Sequence, residues 1–116
     1  MLLDWKDHMK SLSASLRELR GGAAGEVMKG FSGIAQAALK ANALDTKTKE
    51  LIALAIGVAV RCDDCIAFHV KAAIEQGASR EEILETLSMA VYMGAGPSVM
   101  YASHALSAFE QFSKKD

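Results

Sequence analysis

The chain has 116 residues, a net charge of −1, 51% apolar residues and a single proline. That length fits one domain, 1–116, with a modest core, and the near-neutral, interspersed charge argues against nucleic acid or an anionic membrane as a partner. Abundant Ala and Leu with so little proline predict an all-α protein rather than a β-sandwich.

About six helices are expected. Trp5, Met9, Leu12, Leu16 and Leu19 recur at three- and four-residue spacing, which predicts a first helix from about Asp4 to Arg20. Gly21-Gly22 ends it. A second helix is expected from about Ala24 to Ala41, with Val27, Phe31, Ile34, Ala35, Ala38 and Leu39 turned inward. Gly30 and Gly33 lower its helicity and so imply close packing against another helix. Asp45 reads as the N-cap of a third helix from Thr46 to about Arg61. Its second half is apolar all round, which predicts a buried central helix.

A break at Arg61-Cys62-Asp63 starts a fourth helix that ends at Gly77, with Asp63 and Asp64 in the first turn, where acidic side chains complement the helix dipole. Ser79-Arg80-Glu81-Glu82 is a capping box and opens a fifth helix along Ile83, Leu84, Leu87, Ala90 and Val91. Gly94-Ala95-Gly96-Pro97 interrupts the chain, and Pro97 fits the first position of a sixth helix. Tyr101, His104, Ala105, Ala108, Phe109 and Phe112 share a face of it, and 113–116 form a solvated tail. Met28, Met89, Met93 and Met100 are expected as core filler, His8 on the surface, and Tyr92 and Tyr101 as candidate pocket walls.

Met1-Leu2-Leu3 runs straight into Asp4, Lys6 and Asp7, leaving no apolar stretch for an export signal. The longest apolar run, Leu51 to Val60, has ten residues and is too short to span a bilayer. A cytoplasmic protein is expected. Two cysteines in such a chain read better as redox or metal chemistry than as a disulfide framework.

Both cysteines fall in Arg61-Cys62-Asp63-Asp64-Cys65-Ile66-Ala67-Phe68-His69. A Cys-x-x-Cys pair at a helix start is a common reactive dithiol, because the helix N-terminus favours thiolate. His69, four residues after Cys65, lies on the same face one turn on and offers a proton acceptor or an imidazolium partner. Asp63 and Asp64 oppose thiolate formation by their charge, and Arg61 offsets them in part. If the third and fourth helices run antiparallel, Glu50 lies about 18 Å along the third helix from Cys62 and His69 about 10 Å along the fourth. Glu50 is then placed to address His69, directly or through a water, rather than either sulfur. Two other readings of these residues remain open: a pair of structural thiols, and a metal site of Cys62, Cys65 and His69 completed by Glu50 or His104. A c-type haem is excluded because Ile66 follows Cys65.

The order Glu50, Cys62, Cys65, His69 resembles the Glu…Cys-x-x-Cys-x-x-x-His signature of the AhpD-like alkylhydroperoxidases within the carboxymuconolactone decarboxylase family. The wording of Lys49–Ile56 and Cys65–Ser79 is similar too, and the likeness covers about residues 25 to 112. The resemblance implies an all-helical subunit assembled into trimers or hexamers and a thiol peroxidase activity on a small hydroperoxide. By the same likeness Cys65 attacks the peroxide, Cys62 resolves the sulfenic acid to a disulfide, and Glu50 and His69 form the proton relay. No resident cofactor is implied; a lipoyl-type or other dithiol protein supplies the electrons. Asp64 departs from the family, whose peroxidases often carry His or Tyr between the cysteines. The alternatives are a non-enzymatic redox-sensing or metal-binding module, and a family enzyme acting on another small molecule.

Overall fold

In the computed structural model, which describes residues 3–115, five helices follow one another: α1 (Trp5–Gly21), α2 (Gly25–Leu39), α3 (Thr46–Ala59), α4 (Asp63–Glu75) and α5 (Arg80–Phe112). The all-α class is as expected, with no strand among the described residues. The residues Met1, Leu2 and Asp116, read above as part of the chain's beginning and its tail, lie outside the described range.

The count is five rather than six because the two segments expected on either side of 94–97 run on as one kinked helix. The chain leaves helical geometry at Ala95 (φ 54°, ψ −139°), with Pro97 just beyond the kink. A proline early in the second segment gives up only a hydrogen bond that the kink has already broken. The bend also requires Gly94, where a Cβ would stand 1.9 Å from Ser98 Oγ and 2.9 Å from its Cβ.

Local signals set the other boundaries. Asp45 caps α3 by accepting from Thr48 N–H at 2.7 Å, and Thr48, through its side chain first and this backbone bond second, holds the Asp45 carboxyl below its usual range. Ser79 and Glu82 form the expected reciprocal box at the start of α5. Caps of this kind are typically worth ~1 kcal/mol each. Lys47 and Glu82 meet at 2.8 Å and join the N-termini of α3 and α5. This hydrogen bond is the leading cause both of the lowered Glu82 carboxyl and of the raised Lys47 ammonium.

The core forms where α3, α4 and α5 pack on one another, with α1 laid across α4 and α5. Leu54 and Val58 of α3, Ile66 and Val70 of α4, Ile83 of α5 and Trp5 of α1 are fully buried. The start of α1 is clamped to the end of α5. Trp5 N–H donates to Gln111 Oε1 at 2.7 Å, Trp5 Nε1–H donates to Ser107 Oγ at 3.3 Å, and Gln111 Nε2 donates to Leu3 O at 2.7 Å.

Four expectations fail within one chain. α3 is buried on one face only, and Ile52, Ile56 and Val60 stay open. α2 packs against α1 and α3 alone and buries no residue: Val27, Phe31 and Ile34 are 75%, 61% and 67% exposed. Added Cβ atoms at Gly30 and Gly33 would meet nothing within 4 Å. The methionines Met89, Met93 and Met100 are likewise exposed. An amphipathic stripe records that a face needs cover, and in these helices the rest of the same chain does not supply it. The Cα radius of gyration, 14.5 Å, exceeds the about 13 Å usual for this length, as a projecting α2 requires.

Candidate functional site

The turn from α3 to α4 carries the dithiol, and its geometry follows from how α3 ends. Cys62 N–H bonds to Gly57 O at 2.9 Å and Arg61 N–H to Val58 O at 3.2 Å, the paired bonds of a Schellman motif. The position after its C-cap takes a left-handed conformation that glycine usually occupies; here it is Arg61, with φ 62°. The chain then reverses directly into Cys62, the N-cap of α4, whose Sγ accepts from Cys65 N–H at 3.1 Å.

Cys62 and Cys65 are joined in a disulfide, with 5.2 Å between their Cα atoms. Both are half-buried. Helix α3 approaches them closely at Gly57, where a Cβ would stand 3.3 Å from the Cβ of Cys65. Any larger residue there would push the dithiol away from α3. This glycine belongs to the site, and its signal in the sequence is a small residue one helical period before the turn.

His69, one turn beyond Cys65 on α4, donates from Nδ1 to Glu50 Oε1 at 2.6 Å. The bond is direct, so no bridging water is needed. Glu50 is 6% exposed and is the one buried charged residue among those described, and His69 is half-buried. An ionised carboxylate can only accept, so it fixes the proton on Nδ1 and leaves Nε2 as the basic nitrogen of the neutral ring. The structure therefore brings together all four residues singled out above: Glu50, Cys62, Cys65 and His69.

Two further histidines reach the same turn. His104 of α5 donates from Nδ1 to Asp63 Oδ1 at 2.8 Å, and His8 of α1 donates from Nε2 to Asp64 Oδ1 at 2.6 Å. Tyr101 packs against the His104 ring with centroids 4.9 Å apart, and Trp5 meets His8 edge-on at 6.2 Å. His104 thus reaches the site through Asp63, and His8, read as a surface residue, is tied into it. Tyr92 is 78% exposed and lines nothing in one chain. Sequence reasoning missed the His8–Asp64 pair because its members lie 56 positions apart.

Among the described residues no three His, Cys, Asp or Glu side chains gather into a metal-binding group. Of the proposed fourth ligands, Glu50 bonds to His69 and His104 to Asp63. Surface clefts of about 580 and 350 Å³ lie away from the dithiol, one of them rimmed by Lys6, Lys10, Lys71, Lys114 and Lys115. No helix among the described residues is long and apolar enough to cross a membrane.

Residues 25–108 match the carboxymuconolactone decarboxylase family. Uncharacterised proteins of Cupriavidus necator and Haemophilus influenzae are each 38% identical to this chain, over 95% and 94% of it and 96% of their own lengths. A family protein of Legionella pneumophila, solved in its apo form, superposes with a TM-score of 0.91 at 54% identity, covering 95% of this chain and 97% of its own. A second, from Thermotoga maritima, superposes at 0.75 with 29% identity over 94% of this chain and 89% of its own, and a part in the antioxidative response has been suggested for it.

Proposed function

The chain belongs to the carboxymuconolactone decarboxylase family, and within it we propose a thiol-dependent hydroperoxide reductase that cycles Cys62 and Cys65 between dithiol and disulfide. The observation that carries this reading is the direct 2.6 Å bond from His69 to a buried Glu50, one helical turn from a cysteine whose partner lies within disulfide reach. A nucleophile, a base and a carboxylate that orients the base are the parts needed to activate a thiol and return a proton to a leaving group.

In the first step the Cys65 thiolate attacks the terminal peroxide oxygen. The O–O bond breaks, an S–O bond forms, and the alkoxide leaves as alcohol with a proton from His69. Cys62 then attacks the Cys65 sulfenic acid, and water leaves as the disulfide closes. The Cys65 N–H held on Cys62 Sγ is an oriented donor at a helix start and favours thiolate on that sulfur. A dithiol donor, a lipoyl-type group or a protein dithiol, reduces the disulfide and is itself oxidised to a disulfide. The suggested antioxidative role of the Thermotoga relative supports the same direction. A cytoplasmic setting, where thiols are kept reduced, suits the cycle.

The uncovered apolar faces of α2, α3 and α5 are the basis for assembly into a homo-oligomer, trimer or hexamer, whose subunit contacts wall the dithiol. Turnover tests the function: reduced protein with cumene hydroperoxide and dihydrolipoamide is expected to oxidise one dithiol per peroxide, and Cys65→Ser to abolish it. A folded wild-type protein that turns over no hydroperoxide with any dithiol donor favours a family enzyme acting on another small molecule.

A further inference from the structure

All three histidines of the chain end on carboxylates along the first two turns of α4, and each arrives from a different helix. His69 belongs to α4 itself and meets Glu50 of α3; His8 comes from α1 and His104 from α5. The last two serve no step described so far. We propose that His8 and His104 are positioning residues that raise the reactivity of the dithiol by covering the negative charges of Asp64 and Asp63. This rests on the reading of Cys62 and Cys65 as a redox dithiol.

Asp63 and Asp64 occupy the first two positions of α4, between the sulfurs in sequence. There they complement the helix dipole, but two carboxylates beside a thiol disfavour its ionisation. The charged and titratable groups placed on the first turn of α4 are His8 from α1, Arg61 from the preceding turn, Asp63 and Asp64 themselves, and His104 with Tyr101 against it from α5, while Glu50 of α3 and His69 meet one turn further on. Glu50 is taken up by His69, and Arg61 is exposed with its charge largely in water. The cover on each aspartate is therefore its own histidine. An imidazole that donates to a carboxylate disperses its charge, and one carrying a second proton cancels it.

The placement is built into the fold. On α5, His104, Ser107 and Gln111 are spaced so that they share one helical face. Ser107 and Gln111 bind the start of α1, and His8 lies one turn further along that helix, where it meets Asp64. One stripe of α5 thus delivers one histidine directly and the other through α1. Both pairs are partly exposed, so solvent and salt weaken them, and the effect expected of each is moderate.

The experiment follows iodoacetamide alkylation of the reduced full chain against pH, in the wild type, in His8→Gln and His104→Gln, and in the same variants carrying Asp64→Asn or Asp63→Asn respectively. Each histidine variant is expected to slow alkylation at pH 7 about three- to tenfold, equivalent to a thiol pKa raised by up to about one unit, and to be more oxidised in a fixed glutathione buffer. The matching aspartate substitution is expected to restore the rate. Asp63→Asn and Asp64→Asn alone, which keep the histidine, are expected to speed alkylation and cover the case in which a histidine variant does not fold. Wild-type rates in all variants, or double variants no faster than the histidine singles, would overturn the proposal. Alkylation reads thiolate without any peroxide, so a failure here is distinguishable from a failure of peroxide turnover.

Discussion

Glu50 carries more of the site's chemistry than its single hydrogen bond suggests, because it is a buried carboxylate whose one described partner is the His69 imidazole. Glu50→Gln keeps an oxygen acceptor for Nδ1–H but removes the charge that stabilises an imidazolium. Peroxide turnover is expected to fall roughly 10²-fold, the scale of a lost general acid–base partner, with little change in the melting midpoint. Paired steady-state assays and thermal melts check both halves of that statement. The two residues were legible in the sequence because each stands at a fixed number of turns from the cysteines. The separation expected from axial rise alone is closed by the reach of two long side chains. His8 on Asp64 and His104 on Asp63 were not legible, since helix crossings and not spacing bring them together.

Among the elements, the turn between α3 and α4 decides where the sulfurs sit. Arg61 holds a left-handed conformation whose cost to a side-chain-bearing residue is of order 1–2 kcal/mol. Arg61→Val adds the crowding of a β-branched side chain to a cost that Arg61 already bears, and is expected to lose about a further 1 kcal/mol. Arg61→Gly is expected to be neutral or slightly stabilising, because relief of the strain is offset by a looser unfolded chain. Denaturant unfolding of both variants separates these outcomes. The caps Asp45 and Ser79–Glu82 were plain in the sequence because capping is local chemistry within three residues. The kink at Ala95 was read as a break, since glycine and proline mark a departure from helical geometry without fixing whether the chain resumes along the same path.

For the whole molecule, the open faces of α2 and α3 are the main point left unexplained by one chain. Val27, Phe31 and Ile34 on α2 lie exposed, as do Ile52 and Ile56 on α3 and Val60 at its C-cap, and this apolar surface is the ground for the proposed assembly. Light scattering at micromolar concentration is expected to give a homo-oligomer, and Phe31→Glu combined with Ile34→Glu to shift it toward monomer; a monomeric wild type would contradict the proposed assembly. The sequence showed these stripes as apolar faces and they were read as packed within the chain, but periodicity cannot tell a contact within the chain from one between copies. The dithiol cycle itself is tested most directly by titrating the fully reduced protein with a hydroperoxide and counting thiols. The expected result is loss of both thiols per peroxide consumed, with an intramolecular Cys62–Cys65 disulfide and one equivalent of alcohol. Survival of both thiols in excess peroxide would contradict it.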